Sequence, residues 1–423
     1  MPKQEILGMG KFTLAALLVA ACLPAISTAA QPKPAQKAGD ARPSAMAEFR
    51  QAYDAARYKQ AAEALPKLTG NEKTAAAKQF LEVLPLLQWS NENWDQVLQG
   101  IEVCAQWNEV EAMLSHYLGA AAAPEVPRNA QMAALLDRAI KTAKRFSAQK
   151  VHHSVARALA WYGDFARAFA VCDKEPPTDD MLDMVFETLA DKPEVASNPA
   201  NIKLAIDHLP KDGPVLKKAI RALAYIDKLD LALQVAAKRA TPAERAEGIF
   251  IAARYSRYGK HLEAYEKGML SALAALKGIP DAAEGLILFR DILKDASELP
   301  IIPLSDGFWQ TAEKTALAFG DSERPAALAE LTGAAAWAGR PNADANLKTL
   351  AGTPWDATAR HRLACGLWWN GKKEKAKTAA KAIADAGWRN LAFGELAYLA
   401  AQQGDNASAD ALRAEIKPVE GQP

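Results

Sequence analysis

Trp161-Tyr-Gly163-Asp-Phe165-Ala-Arg-Ala168 is the stretch on which the fold turns. A glycine here lets the chain leave one helix in a left-handed conformation. The apolar Phe165, two residues on, starts a second helix facing the first. Ala168, three further on, lets the two helices approach closely. The same order of residues returns as Asp227-Lys-Leu229-Asp-Leu-Ala232, Gly259-Lys-His261-Leu-Glu-Ala264, Gly371-Lys-Lys373-Glu-Lys-Ala376 and Gly404-Asp-Asn406-Ala-Ser-Ala409. An early copy reads Ala56-Arg-Tyr58-Lys-Gln-Ala61, and looser ones start at Glu92 and around Gly339. Turn positions 227 to 259, 339 to 371 and 371 to 404 lie 32, 32 and 33 residues apart, and 163 to 227 is 64, two periods of 32.

Outward from these turns the pattern is helical almost throughout. From Met46 onward apolar and alanine positions recur at three- and four-residue spacing, as in Ala133-Leu136-Ala139-Ile140. No convincing period-two run is bounded by turn residues, so strands are not expected. A period near 34 residues with this turn resembles the tetratricopeptide repeat, over about two-thirds of the chain left after its leader. His261, Lys373 and Asn406 stand where that family has an apolar residue, and 110–150, 176–215 and 280–325 are helical in pattern without the signature. The expected fold is all-α: one helix-hairpin solenoid over 46–416, with 417–423 as a tail and irregular joints at Glu175–Asn201 and Leu299–Asp306. A closed α/α toroid is the alternative.

The first 45 residues read as an address. Lys3 and Lys11 precede the apolar run Phe12–Ile26, and Ser27-Thr-Ala-Ala30 supplies the small residues of a signal-peptidase site. Cleavage is expected after Ala30, with 31–45 a flexible linker. Val19-Ala-Ala-Cys22 is a rival site resembling a bacterial lipobox, at which Cys22 would carry a lipid anchor. The chain is thus expected to be exported to the periplasm, or to be a membrane-anchored lipoprotein. No later stretch is long and apolar enough to span a bilayer.

Composition removes other classes. Lys and Arg (51) nearly cancel Asp and Glu (50), leaving a net charge of +1, which argues against a nucleic-acid binder. Cys104, Cys172 and Cys365 are few, odd in number and far apart, so a disulfide framework is not expected, and they read as small buried hydrophobes. Gly366-Leu-Trp-Trp-Asn-Gly371-Lys-Lys373 approaches a phosphate-binding loop but ends in Lys instead of a hydroxyl residue and follows no strand. His152 and His153 are adjacent and would point about 100° apart on a helix. None of His116, His208, His261 and His361 has metalloprotease spacing. The reading calls for no catalytic residue, metal or cofactor.

Aligning the copies on the turn exposes one further row. Two positions before the turn stand Trp161, Tyr225, Trp337 and Trp369. Four residues earlier lie Arg157 and Arg221, and one turn before them His153 and Lys217, with Lys150 preceding His153. Resemblance to the tetratricopeptide family implies that first-helix residues line one concave face. These nine residues would then form a basic, aromatic-floored groove for a protein or peptide partner, acidic or presenting a C-terminal carboxylate. The expected function is a protein- or peptide-binding scaffold in the bacterial cell envelope. The alternative is a secreted toroid enzyme, a lyase or hydrolase of polysaccharides.

Overall fold

The computed structural model describes residues 44–83, 94–105, 110–122, 126, 129–146, 149–172, 177–297 and 303–417. The leader, the Cys22 lipobox, most of the linker and residues 418–423 of the expected tail lie outside them. Packing divides the chain between Ser44 and Ala45, and every described helix belongs to the unit Ala45–Pro423.

That unit is built from helices, with no strand among the described residues. In chain order they are α1 (Ala45–Asp54), α2 (Tyr58–Ala64), α3 (Gly70–Val83), α4 (Trp94–Cys104), α5 (Val110–Ala121) and α6 (Ala130–Ala143). Next come α7 (Gln149–Trp161), α8 (Phe165–Val171), α9 (Asp179–Asp191), α10 (Pro193–Ala196), α11 (Pro199–Asp207), α12 (Val215–Tyr225) and α13 (Leu229–Ala237). Then come α14 (Pro242–Tyr258), α15 (Leu262–Ala275), α16 (Ala282–Ser297), α17 (Asp306–Ala318) and α18 (Arg324–Trp337). The last are α19 (Leu347–Leu350), α20 (Asp356–Trp369), α21 (Lys373–Lys381), α22 (Ala386–Gln402) and α23 (Asn406–Arg413).

One row of helices runs α5, α7, α9, α12, α14, α16, α18, α20, α22, each packed on the next. Most of the helices that come after a member of this row fold back on it: α8 on α7, α13 on α12, α15 on α14, α21 on α20 and α23 on α22. Among the described residues every extensive contact joins elements close together in the chain, and none joins α1–α3 to α20–α23. This is the helix-hairpin repeat array expected of a solenoid, in which each hairpin buries its apolar face on its neighbours.

The turn chemistry works as the signature implies, with one correction of register. Backbone φ is positive at Ala56, Gly163, Asp227, Gly339, Gly371 and Gly404, and in the copy near 259 the positive value, 67°, belongs to Lys260. Gly259 caps α14 with φ −71°. Shifting this copy by one residue puts Leu262 in the apolar position and Tyr265 in the alanine position. His261 is therefore not the departure it seemed. The alanines five residues after the turn, Ala61, Ala168, Ala232, Ala376 and Ala409, are all fully buried, as close helix approach requires.

Lys373 occupies an apolar position for a different reason. Its ammonium sits 5.4 Å from the centroid of the Trp368 ring and 2.6 Å from the Asp405 carboxylate of the next turn. The stem covers apolar surface while the charge finds a partner.

The expected joint at Glu175–Asn201 is corrected: from Asp179 onward it is helical, as α9, α10 and the start of α11. Thr178 and Asn198 cap new helices through their side chains, and Pro193 and Pro199 sit in first turns, where a missing N–H costs nothing. The Pro, Ser and Asn content that read as loop is the punctuation between short helices.

Buried side chains form two clusters, one from Phe49 to Ala252 and one from Ala246 to Leu412. Helix α14 belongs to both, giving Ala252 to the first and Ala246, Phe250 and Ala253 to the second.

Candidate functional site

The row read from the sequence divides into two stretches with different character. Lys150, His153, Arg157 and Trp161 lie on α7, and Lys217, Arg221 and Tyr225 lie on α12. Helix α9 packs between them, in the repeat that lacks the signature. It brings acids. Lys218 pairs with Asp183 of α9. Burial and the nearby Asp191 carboxylate hold Glu187 of α9 above the usual carboxylate range, against the pull of Lys218 and Arg157. Lys217 meets Glu247 of α14 at 2.8 Å. The Arg221 guanidinium lies 5.4 Å from the centroid of Tyr255 in the next hairpin. Arg157, Lys217 and Arg221 thus face carboxylates and rings supplied by the helices next along the row.

Trp161 departs from a surface row. It is buried at 4% exposure within the first core cluster. Its carbonyl accepts a hydrogen bond from the Lys192 ammonium, which also lies 5.3 Å from the indole centroid. Tyr225 remains exposed. The corrected register adds Tyr258 at the same position, with Arg254 four residues before it and bonded to its hydroxyl at 3.1 Å. The sequence carried that pair at i,i+4 spacing, and anchoring the copy on Gly259 hid it.

The second stretch is brought together. Trp337 ends α18 and Trp369 ends α20, and their ring centroids are 5.6 Å apart with planes tilted by 41°. Trp337 is half-buried and Trp369 is 45% exposed. They line a groove of about 460 Å³ together with Arg290, Leu293, Lys294 and Ser297 of α16, Glu330, Gly333 and Ala334 of α18, and Arg362 of α20. Arg362 is paired with Glu330. A side chain at Gly333 would come within 2.9 Å of the Arg362 Cβ, so glycine there gives Arg362 its course across α18. Three cations and one carboxylate rim the groove. None of Arg290, Lys294 and Arg362 was singled out from the sequence, because their convergence needs three helices side by side.

The near-P-loop is no loop. Gly366 lies inside α20, and Gly371 makes the hairpin turn with φ 72°. A Cβ at Gly366 would fall 2.6 Å from the backbone of Ala336 and Trp337, so this glycine lets α20 lie against α18 and sets the two tryptophans side by side.

No protein-family model matches the chain, and no curated protein matches it. Among solved structures, it is similar to Ton1535 from Thermococcus onnurineus NA1, at 12% identity and a TM-score of 0.28, covering 88% of this chain and 95% of that one. It is also similar to a circular tandem repeat protein of novel repeat topology, at 12% identity and a TM-score of 0.24, covering 88% and 93%. These likenesses are distant, and the helical-repeat fold stands on the helix packing of the chain itself.

Proposed function

We propose that the chain is an exported helical-repeat scaffold of the bacterial cell envelope that binds an acidic segment of a protein or peptide across Trp337 and Trp369. The observation that carries this reading is the tilted indole pair with a basic rim. Exposed indoles are costly to leave in water and act as rigid anchors when a partner covers them. Arg290, Lys294 and Arg362 outnumber Glu330 and the Asp291 carboxylate 3.7 Å from Arg290, so the groove favours a partner with carboxylates. Arg221, Tyr225 and Tyr258, further along the same row, would extend contact with a longer partner. Trp161 supports the row from beneath. The leader supports export, and no described helix is long and apolar enough to cross a membrane.

The test uses the full chain and fluorescein-labelled acidic peptides, with free and amidated C-termini, read by polarisation. Trp369→Ala and Arg362→Ala are each expected to weaken binding about tenfold or more. Equal affinity of the Trp369→Ala variant and the parent would overturn the reading.

A further inference from the structure

His361 and Cys365 are four residues apart on α20, so both side chains project from one face of that helix. Glu395 of α22, the next helix of the row, reaches the same point. Its Oε2 is 2.9 Å from His361 Nε2 and 3.4 Å from Cys365 Sγ. The nitrogen, sulfur and oxygen all lie within 4.8 Å of one another. His361 is 8% exposed and Cys365 3%, whereas the Glu395 side chain is half exposed. The Trp388 ring, with its centroid 5.8 Å from that of His361, stands beside the imidazole.

We propose that His361 Nε2, Cys365 Sγ and Glu395 Oε2 form a binding site for one zinc-class divalent cation, with a fourth position open to solvent on the Glu395 side. One imidazole, one thiolate and one carboxylate are the donors that zinc accepts, and three protein ligands plus an open position make a tetrahedral set. Zinc–ligand bonds of about 2.0 to 2.3 Å bring such donors to roughly the separations seen here. The site is rigid on two sides, because His361 and Cys365 are fixed by one helix, and adjustable on the third, where the Glu395 side chain can swing. A solvent-facing carboxylate also gives the ion a route in.

Without the cation, hydrogen bonds hold the cluster together. The Cys365 thiol donates to Glu395 Oε2, and His361 Nε2 shares a hydrogen bond with the same oxygen. Binding replaces these hydrogen bonds. The sulfur binds as a thiolate, its proton passing to solvent, and the imidazole binds through an unprotonated Nε2.

The test titrates zinc into the full chain against a chromophoric chelator. One equivalent bound is expected. Cobalt in place of zinc should show a thiolate charge-transfer band. Cys365→Ser should abolish that band and weaken zinc binding at least tenfold, as should His361→Ala. Glu395→Gln, at a half-exposed position that leaves the fold in place, should weaken zinc binding as well. Zinc affinity unchanged in these variants, or a cobalt spectrum without the thiolate band, would overturn the site.

Discussion

Arg257 and Asp295 form a buried ion pair, with guanidinium Nη1 and carboxylate Oδ1 2.8 Å apart and both side chains almost wholly out of solvent. The pair ties α14 to α16 at the place where the two hydrophobic clusters meet. The Tyr265 hydroxyl donates to the same carboxylate oxygen, and Arg254 approaches the other. Breaking one member leaves a buried charge uncompensated, which costs about 3–5 kcal/mol. Asp295→Ala should lower the free energy of unfolding by that amount, read from denaturant titration. Replacing both partners, with Arg257→Met and Asp295→Leu, should recover most of it, because Arg257 Nε is buried with no hydrogen-bond partner and the pair is imperfectly satisfied. A double variant as unstable as Asp295→Ala would argue against this account.

The corrected register makes a paired prediction at adjacent residues. Lys260 holds φ 67°, a conformation that disfavours a side chain, whereas Gly259 is ordinary helical backbone pressed against the Tyr225 carbonyl. Lys260→Gly should raise stability by about 0.5–1 kcal/mol, the lost strain exceeding the added chain entropy. Gly259→Ala should lower it, because its Cβ would meet that carbonyl. Thermal melts of the two variants separate the alignments: were the turn centred on Gly259, Lys260→Gly would bring no gain.

Gly366 sets the distance between α18 and α20. Gly366→Ala puts a methyl against the Ala336 and Trp337 backbone, and overpacking of this kind costs about 1–3 kcal/mol. The helices should part, and the Trp337–Trp369 contact with them. Loss of the exciton signal of that indole pair in near-ultraviolet circular dichroism, in a folded variant, is the expected readout.

Two carboxylates of the first stretch should respond to pH with opposite signs. Burial pushes Glu247 up, but hydrogen bonds from Lys217 and Arg239 outweigh it and hold its carboxyl below the usual range. Its contribution is present above the ordinary carboxylate pKa and is lost as pH falls through the lowered folded value. Glu247→Gln should therefore cost about 1 kcal/mol or less at neutral pH, discounted for its partial exposure, with the difference from the parent shrinking in acid.

Glu187 lies on the other side of the balance. Its folded pKa is raised, so ionising it costs stability, a cost absent below the ordinary pKa and complete once pH exceeds the folded value. Glu187→Gln should stabilise the chain at neutral pH and make no difference in acid. Denaturant titrations at two pH values check both variants, and a shift of the same sign in the two would contradict the assignment.

The hairpin turns were legible because they are local. Asp164 and Asp405 cap the helices that come after their turns, and the left-handed residue stands one position before each. The aromatic row was legible as a list of positions, and its fate was not. Trp161 and Trp369 occupy equivalent places, yet one is core and the other is surface. Nothing within a single repeat distinguishes them, since burial depends on what Lys192 and the neighbouring hairpin lay over each ring. The Glu175–Asn201 segment misled for a local reason: helix caps and loops share the same residues.

By itself the sequence determined that this chain is helical, where its hairpins turn and which side chains stand in register. Those properties arise between residues a few positions apart, through helical periodicity, capping and backbone handedness. Only the tertiary structure decided which charges are neutralised and which donors converge. Lys217 and Glu247, Arg257 and Asp295, and His361 and Glu395 are 30, 38 and 34 residues apart. Each pair meets across two helices of the row. Such a meeting is fixed by the distance and rotation of whole helices, to which glycines such as Gly366 and buried alanines contribute as much as the charged residues themselves.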